Sequence, residues 1–243
     1  MAIEENDRAT IRDVAARAGV SAATVSRVIK GDYPVAPATR IRVLRAIDEL
    51  DYVLNVHARF LSGASTKMVA FILDDVTGPS FAYVARGVEQ QATAEGRLCM
   101  VCTTHGDPSR ELAIVEAMRE QRADAVILVG GGSADDAYHA RMTHFAHALD
   151  KAGSRLVLCG RPPLGDDVPT TVVDYDNEAG AYAMTSHLLS RGHRGIVYLG
   201  AATAEDQSTT KLDRVRGFRR AHADYEVECD PGLILPSDFS RDA

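Results

Sequence analysis

Residues 21–30 place Ala22, Ala23, Ser26, Arg27 and Lys30 on one side of a helical spacing and Val25, Val28 and Ile29 on the other. A surface of small side chains lets a backbone come close to another polymer, and a guanidinium in it can reach a guanine edge or a phosphate. Other groupings that could do chemistry lead less far. Cys99 and Cys102 form a C-x-x-C inside an apolar run, where strand alternation sends the two thiols to opposite faces, so ordinary buried thiols are expected. Gly130, Gly131 and Gly132 follow another apolar run, but Asp135 breaks the dinucleotide fingerprint and no phosphate-loop lysine follows. The eight histidines show no metal-ligand spacing and no nucleophile–base pair stands out, so no metal, cofactor or catalysis is expected.

Charge divides the chain in the same place. The 243 residues carry a net −7, yet residues 1–66 hold nine Lys/Arg and eight Asp/Glu, leaving 18 basic and 26 acidic groups for the rest. Between Arg8 and Arg45, eight basic side chains face only Asp13 and Asp32. A small basic module on an acidic body is the electrostatic footprint of a nucleic-acid reader with a separate second domain. No run of about 18 apolar residues occurs, and Glu4, Glu5 and Asp7 stand where a signal peptide needs basic and then apolar residues, so a cytoplasmic protein away from membranes is expected. Four cysteines do not make a secreted disulfide framework in a chain of this length.

The elements that must position Arg27 follow from periodicity. Ile11, Val14, Ala15 and Ala18 repeat at helical spacing until Gly19, Ser21 can cap a second helix that Gly31 stops, and Pro37 opens a third over residues 37–50 with Ile41, Leu44, Ile47 and Leu50 facing inward. Three short helices with a tight turn between the first two describe an all-α helix-turn-helix, whose second helix enters the major groove. A bundle used for protein contacts is the competing reading, and the small, basic outward face of the second helix favours DNA.

Residues 10–28, from Thr10-Ile11-Arg12-Asp13-Val14 through Thr24-Val25-Ser26-Arg27-Val28, resemble the N-terminal signature of the lactose-repressor (LacI/GalR) family almost position for position. So do Thr39-Arg40, Asp51-Tyr52, Asn55, Ala58, Arg59 and Leu61. The resemblance implies that Thr10, Ser21, Thr24, Ser26 and Thr39 hold phosphates while Ala22, Ala23 and Arg27 face base edges. It further implies that residues 56–61, capped by Asn55, form a hinge helix on DNA that includes Ala58 and wedges Leu61 into the minor groove. Leu61 as a plain linker residue is the alternative. Ala36 stands where the family places a capping side chain, at a cost of about 1 kcal/mol, and Leu54 replaces a proline common before the hinge.

Beyond residue 67 apolar runs at 68–73, 98–102, 125–129, 156–159, 171–173 and 196–199 alternate with helical stretches such as 81–94. That alternation predicts an α/β doubly wound parallel sheet, with ligands bound at the carboxyl ends of the strands. Residues 75–81, Asp176-Asn177 with Gly180, and Arg214 ahead of Gly217-Phe218 resemble segments of the family's periplasmic-binding-protein-like sensor domain. By that resemblance Asp75, Ser80, Phe81, Asp176 and Arg214 line an effector cleft, and Arg161 compensates for Gly160, which stands where many members carry an acid. Asp75 and Asp176 have a second reading as helix caps.

The domain layout expected is a helix-turn-helix over 1–54, a hinge and linker over 55–66, and a sensor domain over 67–243 whose second subdomain is incomplete beside the longer family members. The chain alone is then expected to expose open sheet edges, with poor solubility or chain exchange. The resemblance implies operator DNA, a sugar or nucleobase effector and a second copy of the chain as partners. A solute-binding protein, or a short form that interferes with full-length regulators through mixed dimers, are the rival functions.

Overall fold

The computed structural model describes residues 9–31, 33–52, 66–77, 79–202 and 208–237. The chain divides into two compact units, Met1–Ala64 and Ser65–Ala243. The expected hinge helix, with Asn55, Ala58 and Leu61, lies outside the described residues.

The first unit is built from α1 (Ile11–Ala18), α2 (Ala22–Lys30) and α3 (Pro37–Glu49). Thr10 starts α1 by donating both its backbone N–H and its hydroxyl to Asp13 Oδ2, at 2.7 Å each, which satisfies one of the helix's orphan donors. Gly19 ends it in the left-handed region at φ 64°, so that Val20 N–H reaches Ala15 O at 3.0 Å. Two residues later the Ser21 hydroxyl accepts from Thr24 N–H at 3.2 Å and opens α2. The turn is short because both its ends are capped. Val14, Ala15, Ala18, Val25, Val28, Val43 and Ala46 are buried together beneath it.

The third helix is rotated from the expected facing. Ile41 and Leu44 are 66% and 49% exposed, while Val43 and Ala46 are buried and Ile47 and Leu50 pack beside them. Val43, Ala46, Ile47 and Leu50 follow the i, i+3, i+4, i+7 pattern of one helix face, whereas Ile41 and Leu50, nine residues apart, fall about 180° from each other. Ala36 contributes no side-chain cap, and Pro37 opens the helix at a position where a missing N–H is harmless.

In the second unit five parallel strands lie in the order β2-β1-β3-β4-β5. They are β1 (Met68–Leu73), β2 (Leu98–Thr103), β3 (Ala125–Val129), β4 (Arg155–Cys159) and β5 (Thr170–Val173). The linking helices are α4 (Pro79–Ala94), α5 (Pro108–Glu120), α6 (Asp136–Lys151) and, after β5, α7 (Asn177–Ser190). The strand β1 is buried over five of its six residues, as a near-continuous apolar run must be when strands pair on both edges and helices cover its faces. Ala70, Ile72, Val126, Leu128, Leu156 and Leu158 pack on one face against Val115, Met142, Phe145 and Leu149 of α5 and α6. Phe71, Leu73 and Val129 pack on the other against Phe81, Ala85 and Val88 of α4. Cys102 belongs to the first cluster and Cys99 to the second, as alternation along β2 requires. Burial holds both thiols above their ordinary pKa, which makes them poor nucleophiles.

A smaller parallel pair, β6 (Tyr198–Ala201) and β7 (Ile234–Pro236), is joined through α8 (Thr209–Asp224). The expected strand at 196–199 is shifted by two residues. Its extent is set by its three-residue partner, which pairs Tyr198 with Ile234 and Leu199 with Leu235. The helices α7 and α8 cross with backbones in contact at Gly217, where a Cβ would collide with the Glu178 carbonyl and lie 2.9 Å from Tyr182 N. Glu178 also receives Arg216 and Arg220 across this crossing.

Gly217→Ala is therefore expected to force the two helices apart and lower unfolding free energy by about 1 to 3 kcal/mol, read as a lower denaturant midpoint. An unchanged midpoint would mean that the crossing is not as close as described.

Candidate functional site

Each unit presents one candidate site. In the first, α2 exposes Ala23 and Arg27, with Thr24 and Ser26 half-exposed beside them. Ala22, expected among the base-facing residues, is half-exposed like Thr24 and Ser26 and packs in part against the core of the unit. Arg27 is the long polar side chain of the outward face of α2 among those described.

The hydroxyl-bearing residues sit at helix starts. Thr10 caps α1, Ser21 caps α2 and bonds the Thr24 hydroxyl at 2.9 Å, and Thr39 is half-exposed in the first turn of α3. Helix starts carry partial positive charge and unpaired N–H groups, which favour anions. Arg12, Arg40 and Arg42 are exposed around them. The Thr10 side chain, and then its backbone N–H, hold the Asp13 carboxyl below the usual aspartate range.

In the second unit the sheet reverses its winding between β1 and β3, with β2 on one side and β3 on the other. Crevices at such switch points are where open α/β sheets take ligands. Asp74 and Asp75 follow β1 directly, Thr104 and His105 follow β2, the three glycines follow β3, and Gly160 with Arg161 follows β4. Thr104 Oγ1 donates to Asp74 Oδ1 at 2.7 Å, and Phe81 from the start of α4 lies over Gly130, 3.9 Å from where a Cβ would stand. Asp75 accepts Thr77 N–H at 2.6 Å in a local turn ahead of α4, which lowers its pKa; α4 itself begins at Pro79, so this bond does not cap that helix. Ser80 is exposed at the same helix start.

Asp176 likewise accepts Ala179 N–H at 2.7 Å and caps α7. Its neighbour Asn177 accepts from Arg214 Nε at 2.8 Å, so the structure brings Asp176 and Arg214 to one place through an amide between them. The start of α8 is fastened to the glycine run: Thr209 N–H donates to Gly132 O at 2.9 Å and Gly132 N–H to Thr209 Oγ1 at 3.1 Å. A Cβ on Gly131 would collide with Ser208 Oγ and lie 3.0 Å from Thr210 N, so only glycine permits this approach. Thr210 Oγ1 donates to Gly160 O at 3.3 Å and closes the clasp on β4.

Arg161 is not a cleft residue. It is 4% exposed, donates Nε to Gly130 O at 2.7 Å, and meets Glu111 with both terminal nitrogens at 2.9 and 3.1 Å. The Tyr138 hydroxyl donates to the same carboxylate and accepts from Arg161 at 3.1 Å. Burial disfavours the cation, but the Glu111 carboxylate outweighs it and the arginine pKa stays raised. Burial also pushes the Tyr138 phenol up, against the pull of Arg161.

Sequence reasoning missed Asp74, Glu111 and Tyr138. The signals were there: Asp74 is the first residue past the strand end. Glu111 interrupts the inward spacing of Val115 and Met118, and Tyr138 leads that of Met142, Phe145 and Leu149. Among the described residues there is no group of three His, Cys, Asp or Glu that could hold a metal, and no helix long and apolar enough to cross a membrane.

A helix-turn-helix with a basic reading face, followed by a doubly wound sheet open at its strand ends, defines the class of ligand-responsive bacterial DNA regulators. Residues 10–55 match the model of bacterial regulatory proteins of the lacI family, and residues 66–234 match that of periplasmic binding proteins and the sugar binding domain of the LacI family. The chain belongs to the LacI family. It is 32% identical over 237 residues to the HTH-type transcriptional regulator DegA of Bacillus subtilis (strain 168), covering 97% of this chain and 67% of that protein. It is 34% identical over 232 residues to the HTH-type transcriptional repressor PurR of Aliivibrio fischeri (strain MJ11), covering 95% and 65%. A solved transcriptional regulator CelR–cellobiose complex superposes with a TM-score of 0.56 at 31% identity, over 97% of this chain and 67% of that one. The chain thus spans about two thirds of the length of the curated relatives it matches.

Two outcomes test these geometries. A carboxyl depressed in the folded state stabilises α1 fully above the ordinary aspartate range and loses that contribution as pH falls through the lowered value. Thr10→Ala should raise Asp13 part of the way back toward the ordinary range in a carbon-detected titration, since the residue-10 backbone N–H still donates to it. Arg161→Met leaves Glu111 buried without its partner and should cost about 3 to 5 kcal/mol, whereas adding Glu111→Leu should restore much of the loss. Equal losses in the single and double variants would contradict the buried pair.

Proposed function

We propose that this chain is a sequence-specific DNA-binding transcription regulator, most simply a repressor, whose grip on DNA is set by a small molecule at the strand ends of its second unit. The observation that carries this reading is the outward face of α2, small at Ala23 and cationic at Arg27, presented after a turn capped at both ends. Arg27, Ala22 and Ala23 take the base-edge role, Arg27 by hydrogen bonds and the alanines by contact with thymine methyls. Thr10, Ser21, Thr24, Ser26 and Thr39 take phosphates and fix register. Asn55, Ala58 and Leu61 retain the hinge role that the family resemblance implies, with Leu61 as the minor-groove wedge.

On this reading residues 1–54 bind DNA, 55–66 form the hinge and 67–243 sense the effector. Asp75, Ser80, Phe81, Asp176 and Arg214 are its proposed effector contacts, joined by Asp74, and Arg161 is withdrawn from that set. A sugar is the first effector class to test, supported by the sugar-binding description of the matched domain and by the cellobiose held by a relative. Two copies on a near-palindrome place two reading helices in successive major grooves. Effector and operator binding are then linked reciprocally by about 1 to 3 kcal/mol. The relatives are transcription regulators, and we assign this chain no catalytic step.

The test is a footprint and anisotropy titration of the purified chain on the DNA upstream of its own gene, across a range of salt. Protection of a short near-palindrome with affinity falling steeply in salt supports the reading. Arg27→Ala should cost about 1 to 3 kcal/mol and relax preference at one base position, and Leu61→Ala should reduce bending. Variants that bind and bend DNA like the parent would overturn the assignment.

A further inference from the structure

We infer that Tyr33, outside the reading helix, is a positioning residue for Arg27 and thereby sets the base preference of this regulator. The inference rests on the proposed DNA-reading role of α2. The Arg27 guanidinium lies over the Tyr33 ring, 5.6 Å from its centroid, within the range of a cation–π contact. Among the described residues this ring is the group the structure places against that guanidinium.

The chain is built to bring the ring there. Gly31 closes α2 with φ 71°, its N–H bonded to Arg27 O at 3.0 Å, and reverses the backbone at once. Val35 packs against the core of the unit and anchors the far side of the loop. Pro34 lies between, and it disfavours helical backbone at the residue before it. Tyr33 is therefore held between two fixed points while remaining 66% exposed on the side where Arg27 emerges.

An exposed arginine samples many rotamers, and docking it on a base edge fixes most of them. A ring against one face of the guanidinium removes part of that freedom beforehand and leaves the N–H edge directed outward for bidentate contact. Tyr33 thus acts on the choice of base through Arg27 rather than by touching the base.

The experiment is selection of a randomised duplex pool by the full chain, followed by sequencing, for the parent, Arg27→Ala, Tyr33→Leu and Tyr33→Phe. Arg27→Ala marks the base position that Arg27 reads. Tyr33→Leu should lower discrimination at that same position about two- to fivefold, the equivalent of about 0.5 to 1 kcal/mol for an exposed cation–π contact, and Tyr33→Phe should restore it. Thermal midpoints of the Tyr33 variants should match the parent, since the ring is outside the core. If Tyr33→Leu weakens all sequences alike, or Tyr33→Phe fails to restore the preference, the residue is a backbone contact and the inference falls. A parent that enriches no motif overturns the DNA reading itself, an outcome distinct from a parent motif that Tyr33→Leu leaves intact.

Discussion

The Arg161 guanidinium ties together parts of the second unit that the chain keeps far apart. One nitrogen holds the carbonyl of Gly130 past the end of β3, and the other two hold Glu111 on α5, whose carboxylate also takes the phenol of Tyr138 on α6. A charge buried to this degree is tolerable only when its donors are nearly all engaged, so the three elements are fixed to the loop after β4 as one piece. The glycine run held in this way is the surface on which the start of α8 is fastened. Arg214 rides on that helix, and so its place beside Asn177 and Asp176 depends on an ion pair that itself faces no ligand.

The two units obtain their candidate sites by different physics. In the first, the site is a convex face on a helix, and the requirement is a sharp, well-capped turn that leaves the face unencumbered. In the second it is the edge where parallel strands stop, and the requirement is a sheet buried on both faces with its loops drawn together. Capping side chains do double duty in both. Thr10 and Ser21 begin helices while facing outward, and Asp176 does so beyond the end of β5, with one carboxylate oxygen bonded to Ala179 N–H.

Periodicity and alternation made most of the architecture legible. The strands at 68–73 and 125–129 were read to the residue, and the capped turn between α1 and α2 followed from Gly19 and Ser21 alone. The facing of α3 was misread because large side chains, Ile41 and Leu44, were taken as the inward ones. The face centred on Val43 and Ala46, with Ile47 and Leu50 beside it, is the one that meets the other two helices, and helical phase carries Ile41 and Leu44 away from it. The shift of β6 reflects a partner strand some thirty-five residues away, which no local pattern encodes. Arg161 was drawn into the cleft by its neighbours in sequence, whereas Glu111, fifty residues earlier, decides its position.

The glycines after β3 and β4 set a limit of another kind. Beside Gly131 stands Ser208 Oγ, and beside Gly160 stands the Tyr175 ring, its Cζ 2.6 Å from where a Cβ would be. Neither position can accept so much as a methyl group unless a helix start or an aromatic ring moves. Redesign of this unit for a new ligand must therefore proceed through side chains on the surrounding loops and helix starts. The glycine positions are the tight points of the scaffold, and a side chain at either one requires Ser208 or the Tyr175 ring to give way first.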